Sequence, residues 1–209
     1  LYRMEYGKSW NNFEGKFVYE DFNERIHVTN SKPKIQVGLP ILLGWDSSGL
    51  TPAVVVAQLQ EDRLFVVQEF VSPGLGAVRF VPFVAEQIKL NFPQITSLDQ
   101  TISFIDPAGL TRNETNEMTY MQYIVNGGFN NVRPGPKTWE KRKESVDSFL
   151  VGLSKGEPKL TIYESKCPIL TEGFKGGYRY SDKVSDNEPD KARPIKDIHS
   201  HPHDAFQYL

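Results

Sequence analysis

The chain has 209 residues, with 24 basic and 26 acidic side chains, and its net charge of −2 does not by itself indicate a nucleic-acid binder. Hydrophobic residues make up 39% and aromatic residues 12%, which suits one large folded domain and excludes a disordered chain. The single cysteine excludes an internal disulfide framework and a cysteine-based zinc finger. No apolar run reaches the roughly 18 residues that span a bilayer, and no signal peptide is visible, so a membrane partner is not expected.

The first part of the chain differs from the rest. Residues 1–38 mix aromatic and charged side chains around a proline-containing break, and we interpret them as an arm or linker. From residue 39 the pattern becomes strand-like, with segments 39–46, 53–60 and 63–70 rich in Val, Ile, Leu and Phe. Only Glu61-Asp62 separates the last two segments, which predicts a short hairpin.

The later segments alternate between strand and helix. Apolar spacing and end signals predict helices over 76–91, 114–126, 138–155, 167–174 and 200–209, and strands over 101–106, 131–133 and 159–163. Pro82 is expected to mark a helix start or a kink. Residues 175–197 are polar and charge-dense, which predicts a flexible loop or a protruding hairpin. The order predicts an α/β domain whose mixed sheet has three antiparallel strands first and parallel strands after them, flanked by helices.

Two predicted strands end on an aspartate. Asp46 follows the apolar run 41–45, and Asp106 follows the run 102–105. A carboxylate in so apolar a setting is costly to keep ionised without a metal or a cationic partner. Each aspartate alone is equally well explained as the start of a turn, but the pair, with Asp204 on the last predicted helix, indicates three carboxylates at one sheet edge.

Like charges at such an edge repel one another, and hard divalent cations relieve that repulsion. Oxygen ligands favour Mg²⁺ or Mn²⁺ over zinc. Two such ions, bridged about 3.5–4 Å apart, activate water for phosphodiester hydrolysis. Asp46, Asp106 and Asp204 are therefore the candidate catalytic residues and metal ligands.

Five segments resemble, in order, motifs of the C-terminal nuclease domain of the large terminase subunits of tailed bacteriophages. GWDSSGLTPA (44–53) resembles the first-strand motif, FIDPAG (104–109) the second acidic motif, and HPHDAFQYL (201–209) the last motif. GKFVYEDF (15–22) is similar to the segment that leads out of the packaging ATPase, and EGFKGGYRY (172–180) is also typical of the family.

This resemblance implies an RNase H-like fold over residues 39–209 and a linker over residues 1–38 from an upstream ATPase domain that this chain lacks. No phosphate-binding loop is present in the sequence. The implied activity is a metal-dependent, largely sequence-independent endonuclease that cuts concatemeric viral DNA during genome packaging. The implied partners are double-stranded DNA, the upstream ATPase domain, and the portal and small terminase subunit, in the host cell cytoplasm.

Several other side chains have two explanations each. Arg112, Lys175, Arg179 and Lys183 either contact the DNA backbone or are solvated loop charges. Glu69 is either an extra ligand or, more simply, an exposed acid at a strand end. His199, His201 and His203 are better explained as neighbours of Asp204 than as a zinc site, and the cluster around Arg142 as an ordinary solvated helix face.

Two rival functions stay open on the sequence. One is a resolvase- or transposase-like nuclease of the same RNase H fold, and the other is a non-catalytic module that docks on DNA or on the portal in the packaging motor. Only the second predicts binding without metal-dependent cleavage.

Overall fold

A computed structural model describes residues 16–47, 51–111, 118–181 and 193–209. The helices are α1 (Glu24–His27), α2 (Ala77–Asn91), α3 (Tyr120–Asn126), α4 (Trp139–Val151), α5 (Pro168–Glu172) and α6 (Ser200–Gln207). The strands are β1 (Val28–Thr29), β2 (Ile41–Asp46), β3 (Ala53–Gln60), β4 (Arg63–Val71), β5 (Thr101–Ile105), β6 (Val132–Pro134), β7 (Leu153–Ser154), β8 (Glu157–Pro158) and β9 (Leu160–Tyr163). None of the helices in these ranges combines the length and the apolar character that crossing a membrane requires.

Seven strands form one mixed sheet in the order β1-β9-β4-β3-β2-β5-β6. Strands β2, β3 and β4 are antiparallel neighbours, whereas β5, β6, β9 and β1 join through parallel pairs. The predicted α/β architecture, an antiparallel meander followed by parallel strands, is confirmed.

The β3–β4 hairpin follows directly from its two turn residues. Glu61 and Asp62 both have positive φ, at 48° and 67°. Two consecutive left-handed residues are the geometry of a type I′ turn, whose twist matches that of the strands it connects. The hairpin predicted at Glu61-Asp62 is thus confirmed.

The sheet has a separate apolar core on each face. Trp45 and Ile105 point to the face covered by α2 and α3. Residues alternate between faces along a strand, so Leu42, Gly44 and Asp46 point to the opposite face, which α4, α5 and α6 cover. Asp46 therefore faces the C-terminal helix.

The sheet begins earlier in the chain than predicted. Val28–Thr29 forms the edge strand β1, which pairs with β9, and Val18 and Tyr19 are buried in the core under α6. Residues 16–29 are thus part of the folded domain, because their apolar side chains complete its core. The upstream domain stays a prediction.

Several predicted helices differ in detail. Pro82 lies inside α2 and not at its start, and Val78, four residues earlier, is an exposed residue. The helix predicted over 138–155 ends at Val151, and Leu153–Ser154 form β7. The helix predicted over 114–126 is present as α3 from Tyr120, and residues 112–117 lie outside the described ranges.

Candidate metal centre

Two of the predicted aspartates lie side by side at the carboxyl edge of the sheet. Strands β2 and β5 are parallel neighbours with Trp45 opposite Ile105, so Asp46 and Asp106 come next in the same register. The Asp106 backbone N–H donates to the Trp45 carbonyl at 3.3 Å, which extends the ladder up to the two carboxylates. Asp106 also caps the turn that follows, accepting from the Ala108 N–H at 2.9 Å.

The third aspartate reaches this edge on α6, which lies directly against β2. A Cβ added at Gly44, two residues before Asp46 on the same face, would lie 2.0 Å from the Ala205 carbonyl oxygen. Only glycine allows so close an approach of strand and helix. The contact places Asp204, the residue before Ala205, next to the end of β2.

Asp204 is 4% exposed and is held by three side chains. Its Oδ2 accepts from the Lys196 ammonium, and its Oδ1 lies 3.5 Å from the Arg142 guanidinium and 3.4 Å from the Tyr178 hydroxyl. Burial raises the pKa of Asp204; Lys196 and Arg142 oppose that rise, whereas Asp46 adds to it. The two carboxylates of Asp204 and Asp46 therefore lie close enough to repel each other.

Asp46 is 1% exposed, and it also has a hydrogen-bond partner. His201 Nδ1 lies 2.9 Å from Asp46 Oδ2, a distance at which the ring N–H donates to the carboxylate. His201 comes from the first turn of α6, so the helix that carries Asp204 also supplies a partner for Asp46.

Tyr208, just past the end of α6, connects Asp106 to the same cluster. Burial raises the pKa of the Tyr208 hydroxyl; Arg142 opposes the rise, whereas Asp106 and Asp204 increase it. The Arg142 guanidinium donates to the Tyr208 hydroxyl at 3.1 Å. All three predicted carboxylates thus border one cluster at the sheet edge.

The three carboxylates do not form a ligand set in this structure. Within the described ranges, no three His, Cys, Asp or Glu side chains are placed so that they hold one metal ion. Both oxygens of Asp204 are instead paired with cationic side chains of the chain itself, Lys196 and Arg142. The donors nevertheless suit a hard divalent cation, because all are carboxylate oxygens and the Lys196 side chain is 69% exposed, free to turn away into water.

Arg142, Lys196 and Tyr208 were not predicted as site residues. The interpretation of Arg142 as part of a solvated helix face is wrong, because its side chain is only 15% exposed and its guanidinium lies 5.7 Å from the Trp139 ring centroid and 5.1 Å from that of Tyr208. The aromatic residue Trp139 three positions earlier on α4 was the available sequence signal, since side chains at this spacing share a helix face.

Two of the three histidines near Asp204 have separate contacts. His201 contacts Asp46, whereas His203 is fully buried, with Nε2 3.2 Å from the Leu170 carbonyl and its ring stacked on Tyr178. Burial lowers the pKa of His203 to about 3, so this ring is neutral. The arrangement agrees with the prediction that these histidines flank Asp204.

The residues predicted to contact DNA are only partly described. Arg112 and Lys183 lie outside the described residues. Lys175 has a side chain only 11% exposed, bound to Glu24 at 2.9 Å and to Glu164 at 2.8 Å, so its ammonium is a structural ion-pair partner and does not face solvent. Arg179 donates to the Gly177 carbonyl at 2.9 Å and lies 3.7 Å from Asp197. Their contact with DNA stays a prediction, and Lys175 is poorly placed for it.

Glu69 is not an exposed strand-end acid. Its two carboxylate oxygens accept from the N–H groups of Ile169 and Leu170 at 2.7 and 2.8 Å, at the start of α5. Burial nevertheless raises its pKa to about 7, against those two hydrogen bonds. Glu69 therefore connects the start of α5 to the sheet through these two hydrogen bonds.

Comparison with known proteins identifies the fold. No protein-family model and no curated protein matches the chain. Among solved structures, the large terminase of a thermophilic bacteriophage superposes with a TM-score of 0.69 at 15% identity, covering 96% of this chain and 46% of that one. The P22 large terminase nuclease domain gives a TM-score of 0.63 at 10% identity, covering 92% of this chain and 89% of that one.

The nuclease of the large terminase from thermophilic phage G20c, with bound magnesium, gives a TM-score of 0.58 at 11% identity and covers 92% of this chain and 95% of that one. The chain has the fold of a large terminase nuclease domain. It spans slightly less than half of the first of these terminases but nearly all of the P22 and G20c nuclease domains. The predicted resemblance to a large terminase nuclease domain with an RNase H-like fold is confirmed.

Proposed function

We propose that this chain is a metal-dependent endonuclease that cuts double-stranded DNA during viral genome packaging. The observation that carries the proposal is that Asp46 and Asp106 lie at the ends of adjacent parallel strands and Asp204 lies on the helix packed against β2, in a chain with a terminase nuclease fold. The G20c nuclease, which shares this fold, binds magnesium.

Asp46 and Asp106 would hold the divalent cations from adjacent strand ends, and Asp204 would hold them from the helix. We propose two ions, Mg²⁺ or Mn²⁺. When bound, such cations supply positive charge to the phosphate oxygens and lower the pKa of a coordinated water. Asp204 becomes available to a cation as Lys196 turns away. The overall reaction adds water across one phosphorus–oxygen bond and leaves one phosphate end and one hydroxyl end.

The chain's own residues prepare the site for this chemistry. His201 would orient Asp46, and Arg142 and Tyr178 would hold the Oδ1 oxygen of Asp204, to which they lie within 3.5 Å. Fixed ligands need less reorganisation when cation and phosphate bind. The proposed partners are the upstream packaging ATPase domain, the portal and the small terminase subunit. The proposed location is the host cell cytoplasm.

Nicking of supercoiled plasmid tests the proposal directly. The chain should convert supercoiled to open-circular DNA with Mn²⁺ or Mg²⁺ and not with EDTA. Asp46→Asn, Asp106→Asn and Asp204→Asn should each reduce the rate at least about 100-fold, since each removes a charged ligand from the reacting centre.

Asp62→Asn is the matched control, because it makes the same isosteric change at a turn residue whose carboxylate is 64% exposed and pairs with Lys159. It should nick like the parent. If the three site variants also nick like the parent, the assignment of the carboxylates is wrong.

The non-catalytic alternative has one observation in its favour. The ion pairs of Asp204 with Lys196 and Arg142 already neutralise this carboxylate, as a purely structural site would. This alternative predicts DNA binding that is unaffected by EDTA, with no cleavage in Mn²⁺, so the same assay separates the two functions.

A further inference from the structure

Tyr19 belongs to the segment interpreted as an arm, yet its ring is buried in the core of the domain. The segment is fixed by its backbone: Phe17 bridges to Arg179, and the Tyr180 N–H donates to the Lys16 carbonyl at 2.9 Å. The Tyr19 ring therefore lies against the elements that carry the candidate site.

A chain of hydrogen bonds connects Tyr19 to Asp204. The Gln207 amide donates one N–H to the Tyr19 hydroxyl at 2.8 Å and the other to the Tyr178 hydroxyl at 3.1 Å. Tyr178 in turn donates to Asp204 Oδ1 at 3.4 Å. Because the single proton of Tyr178 goes to the carboxylate, the Tyr178 oxygen accepts from the Gln207 N–H.

The relay lies in a dry and tightly packed environment. Tyr19, Tyr178 and Gln207 are all buried, so water does not replace a lost partner. The His203 ring lies parallel to that of Tyr178 at 4.4 Å and stacks on Tyr19 at 5.7 Å. Tyr19 is therefore connected, through Gln207 and the His203 ring, to the side chain that touches the carboxylate.

We infer that Tyr19 is a positioning residue for Asp204, acting through Gln207 and Tyr178. This inference rests on the proposed function, since it assigns a role toward the proposed metal ligand. With this role for Tyr19, the N-terminal segment not only packs in the core but also sets the orientation of Asp204. Because coupling free energies are reciprocal, a cation at Asp204 stabilises the docked segment in return.

A double-mutant cycle tests the relay in the full 209-residue chain. Tyr19→Phe and Tyr178→Phe each remove one hydroxyl and keep the ring. Each should lower the nicking rate about 2- to 10-fold, the range for one lost hydrogen bond, while substrate KM stays unchanged. Tyr19→Phe should add no further loss in the Tyr178→Phe background, because the two hydroxyls act in series. Additive losses would overturn the inference.

Hydrogen exchange gives a readout that does not depend on cleavage. In the parent, Mn²⁺ should slow amide exchange in residues 16–22 as well as in α6, and in Tyr19→Phe it should slow exchange in α6 only. Tyr163→Phe, a hydroxyl deletion on β9, is the matched control and should keep both effects. Equal protection of residues 16–22 in the parent and in Tyr19→Phe contradicts the relay.

The two possible failures are distinguishable. A parent chain that does not nick DNA in Mn²⁺ overturns the proposed function. A parent that nicks, together with a Tyr19→Phe variant of unchanged rate and unchanged exchange, overturns only the role of Tyr19.

Discussion

Gly44→Ala tests whether the close approach of β2 and α6 forms the candidate site. The added Cβ would lie 2.0 Å from the Ala205 carbonyl oxygen, and the helix must retreat by roughly 1.4 Å for that contact to reach an ordinary 3.4 Å. The retreat moves Asp204 away from Asp46 without changing any charged or polar side chain.

The size of the effect follows from that displacement. Overpacking of a tight contact costs about 1–3 kcal/mol, which for a domain of this size lowers Tm by about 2–12 °C. A displacement of about 1 Å at a reacting centre costs about 100-fold in rate. Activity should therefore fall far more than stability does, and the variant should remain folded at 25 °C.

The assay is plasmid nicking in Mn²⁺ at 25 °C, with a thermal melt of each sample. Gly76→Ala is the matched control, because a Cβ at Gly76 meets nothing within 4 Å. It loses a favourable cap residue of α2, so its Tm falls slightly, but its nicking rate should equal that of the parent. A Gly44→Ala variant that nicks like the parent would refute the placement of Asp204 against β2.

Two further predictions concern stability. The pKa of Glu69 is raised from 4.5 to about 7, so the folded state binds the proton more tightly than the unfolded state does. The resulting stabilisation is present below pH 4.5 and is lost as the pH rises to about 7. The free energy of unfolding should fall by about 3 kcal/mol over this range. Urea unfolding should show this loss in the parent and not in Glu69→Gln. Arg142→Met should cost about 1.5–3 kcal/mol in the same assay, since it removes a charged partner of buried Asp204.

Each of these predictions has its own control. For Glu69, the difference in free energy of unfolding between the parent and Glu69→Gln is followed against pH, which cancels groups common to both; a difference that does not vary with pH would contradict the prediction. For Arg142, Lys155→Met breaks the exposed pair with Glu61 and should leave stability unchanged. An equal loss in both variants would mean that burial of the Arg142 pair has no effect.

Much of the fold was predictable because its signals are local. The apolar runs of β2, β3 and β4, the Glu61-Asp62 turn and the helical spacing of α2 each lie within a short stretch of chain. The edge strand Val28–Thr29 was not predicted, because two residues carry no periodic pattern and pair with a strand more than 130 positions later.

The sequence by itself determined that Asp46 and Asp106 lie at strand ends and that Asp204 lies on the last helix. Each of the three directly follows, or lies within, an element that is recognisable from its local sequence. Only the tertiary structure decided what surrounds them. Lys196, Arg142 and Tyr178 reach Asp204 from separate elements, and Tyr19 reaches it through two intermediaries. Such partners depend on distances set by packing, above all the contact at Gly44, and no spacing along the chain encodes those distances.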